Sequence, residues 1–272
     1  MQAFIPHSNS DPVSMLIVKL GGSVITNKRK YRTLRGQDLS RLAREVAAAA
    51  DPETVVVHGA GSYGHILAAK HRLHMGFQNQ DQLTAVAQVQ RDVKALDVKV
   101  LDALLRARAR PIAIPPSVVM RHRDGVLESF DIGPFRDYMK LGLLPVSFGD
   151  VVLDTTRRFS IASGDDIVLE LAKAFRPDRV VFAADVDGVY TADPKRSTDA
   201  TRIDVVDAEA MGRIEFADPA GSDVTGGLRA KLEKMRDIAK YARDVWIVNG
   251  LMRGRLERAA RGEAVVGTKV VA

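Results

Sequence analysis

Short apolar runs that break off at glycines constrain this chain more than any other feature. MLIVKL (15–20) stops at Gly21-Gly22, TVVVH (54–58) at Gly59-Ala60-Gly61, and DRVVFAADVDGVY (178–190) turns through Asp185 to Gly188. Runs of this length without polar alternation are those of strands buried on both faces. Segments with helical spacing lie between them. GQDLSRLAREVAAAA (36–50) carries Leu39, Leu42 and Val46 on one side. Residues 81–106 place Val86, Val89, Val93, Leu96 and Val100 at steps of three and four. The pattern continues with a strand at 111–115, a short helix over 129–142 and two short strands around a turn in 143–154. Helices over 164–175 and 226–242, a strand at 244–250 and a terminal strand or hairpin complete it. Strands alternating with helices predict a mostly parallel sheet covered on both faces. Ligands in such sheets sit beyond the carboxyl ends of the strands. The glycine turns fall at those ends, so they are expected to share one cleft. Residues 1–14 read as a flexible extension, 15–170 as an N-terminal lobe and 171–272 as a C-terminal lobe on one continuous sheet.

At 272 residues the chain suits one large α/β domain or two lobes. It has no cysteine, which excludes disulfides, thiolate catalysis and cysteine-ligated zinc. The net charge of +6 is spread rather than blocked. RDVKALDVK and RAKLEKMRDIAKYARD mix both signs, as solvated helix faces do, which argues against a nucleic-acid partner. A modest positive excess suits polyanionic small ligands. No apolar run reaches the roughly 18 residues that span a bilayer, and MQAFIPHSNSDPVS lacks the basic-then-apolar pattern of a signal peptide. A cytoplasmic protein with no membrane partner is expected.

Gly59, Gly61 and Gly64 fit G-x-G-x-x-G, the dinucleotide fingerprint. That reading needs a second strand ending in an acid about 20 residues on. Asp81 is the available acid, and no apolar strand leads to it. The first turn, VKLGGSVITNK, points elsewhere. It delivers Lys19, then Gly21, Gly22 and Ser23, then Lys28. Bare glycine backbone can approach phosphate oxygens closely, and lysine supplies a point charge. A tight hairpin with a solvated lysine would read the same way. DVTGGLRAK (223–231) adds Gly226 and Gly227 at a helix start, with Lys231 on its first turn; glycines at a helix N-terminus favour an anion. Three glycine turns, two of them with lysines, suit a site that binds several phosphates at once, as a kinase does.

VKLGGSVITNK, VVVHGAGSYGH, SGDDIVLELA, ADVDGVYTADP and DVTGGLRAK, in that order, resemble the motifs of the amino acid kinase superfamily, and the resemblance covers nearly the whole chain from residue 15. Within it, Gly64-His65, SGDD (163–166) and DVTGG (223–227) are similar to the isopentenyl phosphate kinases. The resemblance implies a three-layer αβα sandwich around about eight mostly parallel strands, a homodimer, and phosphorylation of isopentenyl phosphate by ATP with Mg²⁺. It also implies that Lys19 and Lys231 grip the transferring phosphate, with Lys28 on the γ-phosphate side. Gly21, Gly22 and Ser23 would cradle the triphosphate together with Gly61, Gly226 and Gly227. Asp185, Gly188, Tyr190 and Lys195 would border the nucleotide. Gly59, Ala60, Gly61, His65, Ser163 and Gly164 would receive the acceptor. Asp165 would orient the lysines, with its neighbour Asp166 as the alternative; no dedicated metal ligand is expected. His65 would donate to the acceptor phosphate rather than act as a base, and His58, inside a strand end, reads as structural. The family usually has three consecutive glycines where this chain has Gly59-Ala60-Gly61, which slightly narrows the acceptor-phosphate site and demands a negative φ at Ala60 unless strain is accepted. The nearest alternatives keep the fold and change the acceptor to fosfomycin, an amino acid or a nucleotide.

Overall fold

The computed structural model describes residues 15–194, 197–214 and 227–272. In chain order, β1 (Leu16–Leu20) leads through the one-turn helix α1 (Gly22–Ile25) to α2 (Gly36–Ala49), and β2 (Thr54–His58) leads to α3 (Gly61–Lys70) and the long α4 (Asp81–Arg106). Then follow β3 (Pro111–Ala113), α5 (Pro116–Val119), the hairpin β4 (Met120–Arg123) and β5 (Val126–Phe130), α6 (Gly133–Lys140), β6 (Leu144–Phe148), β7 (Asp150–Asp154) and β8 (Arg158–Ala162). Beyond α7 (Gly164–Phe175) come β9 (Arg179–Ala184), β10 (Val189–Tyr190), β11 (Arg202–Ile203), β12 (Val205–Val206) and α8 (Ala208–Arg213). The last elements are α9 (Gly227–Ala239), β13 (Asp244–Asn249), α10 (Arg255–Ala260) and β14 (Gly267–Val270).

Eight strands form one sheet in the order β12-β14-β13-β9-β1-β2-β6-β3. All its pairings are parallel except β13 with β14. Alternate residues of each central strand enter different cores. Ile17, Val55, Val57, Val180, Phe182 and Val245 pack on one face with α7 and α9. Leu16, Val18, Leu20, Val56, Val181 and Val248 pack on the other with α2, α4 and α10. Both faces are therefore buried, and the continuous apolar runs follow from that. The result is the mostly parallel, two-face-covered sheet that the strand and helix alternation predicts. The sheet passes without a break between strands from either side of residue 170, meeting at β1 and β9.

Some expectations need correction. The segment 129–142 is not one helix. Its first residues close the β4–β5 hairpin, which turns through Asp124 (φ 51°) and Gly125 (φ 78°), the Asp-Gly pair that such a turn favours. Asp131 then accepts from the Gly133 N–H at 2.9 Å, and α6 begins there with Pro134 in its first turn. The strands in 143–154 belong to different sheets: β6 joins the main one, while β7 joins β5-β4-β7-β8. The glycines after β1 and β2 open helices rather than closing loops. His65 accordingly sits in the second turn of α3, not at the far end of a loop.

Candidate active site

The carboxyl ends of β1, β2, β6 and β9 are tied edge to edge by backbone bonds. Gly59 donates to Leu20 O at 2.9 Å, Gly149 to His58 O at 3.1 Å and Gly21 to Ala183 O at 2.9 Å. They open onto a cleft of about 340 Å³. Two of its glycine turns touch backbone to backbone. A Cβ on Gly22 would lie 2.6 Å from Gly61 Cα, and one on Gly59 would lie 2.8 Å from Gly22 N. Gly61 also takes φ 50°, which a side chain adopts only with strain. Ala60, in contrast, has φ −64° and ψ −23°, ordinary helical values at the N-cap of α3. The negative φ is met, so alanine stands there without backbone strain. Its Cβ occupies the space beside Gly64.

The first turns of α3 and α7 both face the cleft, through Gly61 and Gly164. The dipole of a helix favours anions at its N-terminus, although at α3 the Ser62 N–H is already taken by Thr26 Oγ1 at 3.0 Å. At α7, Ser163 is the N-cap in a reciprocal capping box with Asp166: Asp166 N–H donates to Ser163 Oγ at 3.1 Å, and Ser163 N–H to Asp166 Oδ2 at 3.1 Å. This separates two acids that are adjacent in sequence. Asp166 caps the helix and pairs with Lys234. Asp165, one residue earlier and only 5 % exposed, pairs with Lys19 at 2.6 Å from the opposite wall. Burial alone would raise the Asp165 carboxyl. The Lys19 ammonium, helped by Lys231 and Lys234, outweighs that and holds it below the usual carboxylate range. The Lys19 ammonium lies over the Phe182 ring, 5.8 Å from its centroid. Ser23 donates to Asp185 Oδ1 at 2.9 Å across the β1–β9 edge.

Most of the site residues read from the sequence meet here. Lys19, Gly21, Gly22, Ser23, Lys28, Gly59, Ala60, Gly61, His65, Ser163, Gly164, Asp165, Asp185, Gly188 and Lys231 all line the cleft. Gly188 takes φ 141°. Tyr190 is held in the small β10–β11 ribbon, and Gly227 opens α9 at φ 72°; neither lines the cleft. Lys195 and Gly226 lie outside the described residues. His58 is fully buried, bonded to Asp97 at 3.2 Å and stacked on Phe148, as a structural histidine would be. Among α4 residues Val89 and Val93 reach the cleft, while Leu96 and Val100 stay in the core. The HMGF segment (74–77) stays out of it; His74 lines a neighbouring cavity of about 200 Å³.

The sequence reading missed Gly149 and Asp150, which follow β6 at the same sheet edge and line the cleft. Their signal was there: another apolar run, LPVSF, broken by a glycine. Asp150 is 3 % exposed and its Oδ2 is buried without a hydrogen-bond partner. Burial pushes its carboxyl from 3.8 up to about 6, against the pull of the Val151 N–H, Ser117 and Lys94. An acid raised in the folded state costs stability as pH rises through the folded value, and costs nothing below the unfolded one. Asp150→Asn should therefore gain stability relative to the parent by roughly 2 kcal/mol between about pH 4 and pH 8. Denaturant titrations at the two pH values check this, and a pH-independent difference would refute it.

Among the described residues no group of three or more His, Asp or Glu gathers into a metal cage, and no helix is long and apolar enough to cross a membrane. Comparison with known proteins places this geometry. Residues 14–249 match the model of the amino acid kinase family. The isopentenyl phosphate kinase of Methanothermobacter thermautotrophicus is 38 % identical over 264 residues, covering 94 % of this chain and 98 % of that protein. An X-ray structure of isopentenyl phosphate kinase superposes with a TM-score of 0.83 at 34 % identity, covering 94 % of this chain and 99 % of the other. The crystal structure of an isopentenyl phosphate kinase substrate complex gives 0.78 at 34 % identity, covering 94 % and 100 %. Shared sequence over nearly the full length and a shared fold make this chain a kinase, a member of the amino acid kinase family on the branch of the isopentenyl phosphate kinases.

Proposed function

We propose that the chain transfers the γ-phosphoryl group of ATP to isopentenyl phosphate, giving isopentenyl diphosphate and ADP. The observation that carries this reading is that one cleft joins Lys19, Lys28, Lys231 and the glycine turns to an apolar cluster of Ala68, Val89, Val93, Val151 and Ile161. A ligand with a phosphate head and a short hydrocarbon tail fits that lining, at about 0.8 kcal/mol per buried CH₂. The substrate-bound relative of the same fold supports it.

Phosphoryl transfer is mainly positioning and charge neutralisation. The acceptor is itself a phosphate whose second pKa is about 6, so it is largely dianionic near neutrality and needs no base. An acceptor oxygen forms the new bond to the γ-phosphorus as the bond to the β,γ-bridging oxygen breaks, and the electrons leave on ADP. The obstacle is repulsion, roughly 4 kcal/mol per pair of unit charges at about 4 Å and an effective dielectric of 20. Lys19, fixed by Asp165, and Lys231 meet the transferring group. Lys28 faces the γ-phosphate side, and His65 donates to the acceptor phosphate and keeps it in line. Gly21, Gly22 and Ser23 cradle the triphosphate, with Gly226 and Lys195 assigned to the nucleotide by the resemblance. Mg²⁺ supplies charge neutralisation to the triphosphate when bound. The hard oxygens of Ser23 and Asp185 in the cleft suit that ion, with phosphate and water completing its shell. In this reading residues 15–170 take the acceptor and 171–272 the nucleotide, and the enzyme acts in the cytoplasm as a homodimer.

An ADP-release assay with Mg-ATP tests the acceptor. Isopentenyl phosphate should turn over strongly, and fosfomycin, glutamate and UMP weakly or not at all. His65→Ala should lower kcat/KM for isopentenyl phosphate about 10² to 10³-fold. Preferred turnover of another acceptor would overturn the substrate assignment.

A further inference from the structure

Lys28 lines the cleft from an exposed loop, so the anchors of that loop bear on where it stands. The loop is a pinched one. Thr26 bridges to Leu34, Asn27 N–H donates to Thr33 O at 2.9 Å and Arg35 N–H to Ile25 O at 2.8 Å. Its tip is tied to α4 at one carboxylate and to α3 at Ser62, whose backbone oxygen accepts from the Arg32 N–H at 3.4 Å. Asp92, on α4 and fully buried, accepts from the Tyr31 hydroxyl and faces the Arg32 guanidinium at 3.5 Å. The neighbouring Arg91 contributes a further bond at 2.8 Å. Arg32 adopts φ 50°, in the left-handed region, and lies over the Tyr63 ring; Thr33 N–H reaches Ser62 Oγ at 3.3 Å. A non-glycine residue persists in that region only where its surroundings over-determine it. A buried carboxylate stripped of its partners is costly, so Asp92 favours the closed loop.

We propose that Asp92 is a positioning residue that, through Tyr31 and Arg32, clamps the 27–34 loop onto α4 and so sets Lys28 over the cleft. Val89 and Val93, which wall the apolar part of the cleft, flank Asp92 on the same helix. The loop lysine is thereby referenced to the helix that shapes the tail pocket. The inference rests on the kinase reading above for what Lys28 does, and on geometry alone for how it is held.

The test uses the full chain with Tyr31→Phe, which removes one hydroxyl and keeps the ring, beside Asp92→Asn. Two readouts are taken. One is native-state trypsin cleavage at Lys28, Arg29 and Lys30, which tracks loop opening whether or not the acceptor is right. The other is kcat, compared in the parent and in a Lys28→Ala background. Tyr31→Phe should speed cleavage about 3 to 10-fold and lower kcat by a similar factor, with KM for the acceptor little changed. Asp92→Asn should do more of both. In the Lys28→Ala background the Tyr31→Phe loss of kcat should vanish, a non-additivity that general destabilisation would not produce. Unchanged cleavage, or a kcat loss that persists without Lys28, overturns the proposal. Absence of turnover in the parent with every acceptor overturns the functional reading instead, and the cleavage rates then still decide the clamp.

Discussion

Lys19→Met is expected to lower kcat by at least about 10³-fold and to destabilise the fold by about 3–5 kcal/mol. The two effects have different origins. The first is loss of the charge at the transferring phosphate. The second follows from Asp165, which is 5 % exposed and keeps its charge because Lys19 lies 2.6 Å away. Removing the lysine leaves a carboxylate whose burial works against its charge, with only Lys231 and Lys234 to offset it. The sign with pH follows. In the parent, the depressed carboxyl contributes stability that is present above its unfolded value and lost as pH falls through the folded one. The penalty in Lys19→Met should therefore be largest near neutrality and shrink in acid, where Asp165 takes up a proton. Lys19→Met/Asp165→Leu should recover most of the stability and none of the activity, since a matched apolar pair tolerates burial that a lone charge does not. Chemical denaturation alongside ADP release separates the two. If the double variant stays as unstable as the single one, the pair is not what holds this junction; if Lys19→Met keeps near-parental kcat, Lys19 is not at the reaction centre.

What the sequence makes legible here is what the backbone demands. Gly22, Gly59 and Gly61 had to be glycine because two turns touch main chain to main chain, and that need shows as missing side chains in the sequence. The buried strands were legible because both faces of β1, β2 and β9 enter a core. Pairings between distant residues were not. Only resemblance sets Asp165 ahead of Asp166 in the sequence; in the fold the capping box turns Asp166 toward the helix end and Lys234, leaving Asp165 for Lys19, 146 residues away in the chain. Lys234 looked like one more lysine on a solvated face. The glycines after β2 read as a loop because helix propensity disfavours them, yet at a first turn that cost is small and tight packing on Thr26 and Val93 decides the matter. Tyr31 and Asp92 carried no sequence signal, since their link is a contact between a loop and a helix 61 residues apart.

Gly22→Ala should be among the most damaging single-methyl substitutions at the site. Its Cβ would meet Gly61 Cα at 2.6 Å and Gly61 N at 2.7 Å. Both are main-chain atoms at the start of α3, so no side chain can swing aside. The turns must part, and each is bonded to its neighbours, Gly59 to Leu20 and Gly21 to Ala183. Parting them would move the α3 N-terminus and His65 away from Lys19. We expect a loss of at least about 3 kcal/mol, read as a melting temperature lower by roughly 6–10 °C, and a kcat/KM reduced by about 10² or more. Two companions show that the effect is local crowding. Gly212→Ala, in α8 with open space around its Cβ position and no left-handed φ, should be neutral or stabilising by about 0.5–1 kcal/mol, as helix propensity dictates. Ala60→Gly, at an ordinary helical backbone between the two crowded glycines, should leave turnover within about two-fold and cost no more than about 1 kcal/mol. A Gly22→Ala protein that melts and turns over like its parent would mean that the two turns have room to spare, and that close main-chain contact is not what shapes this cleft.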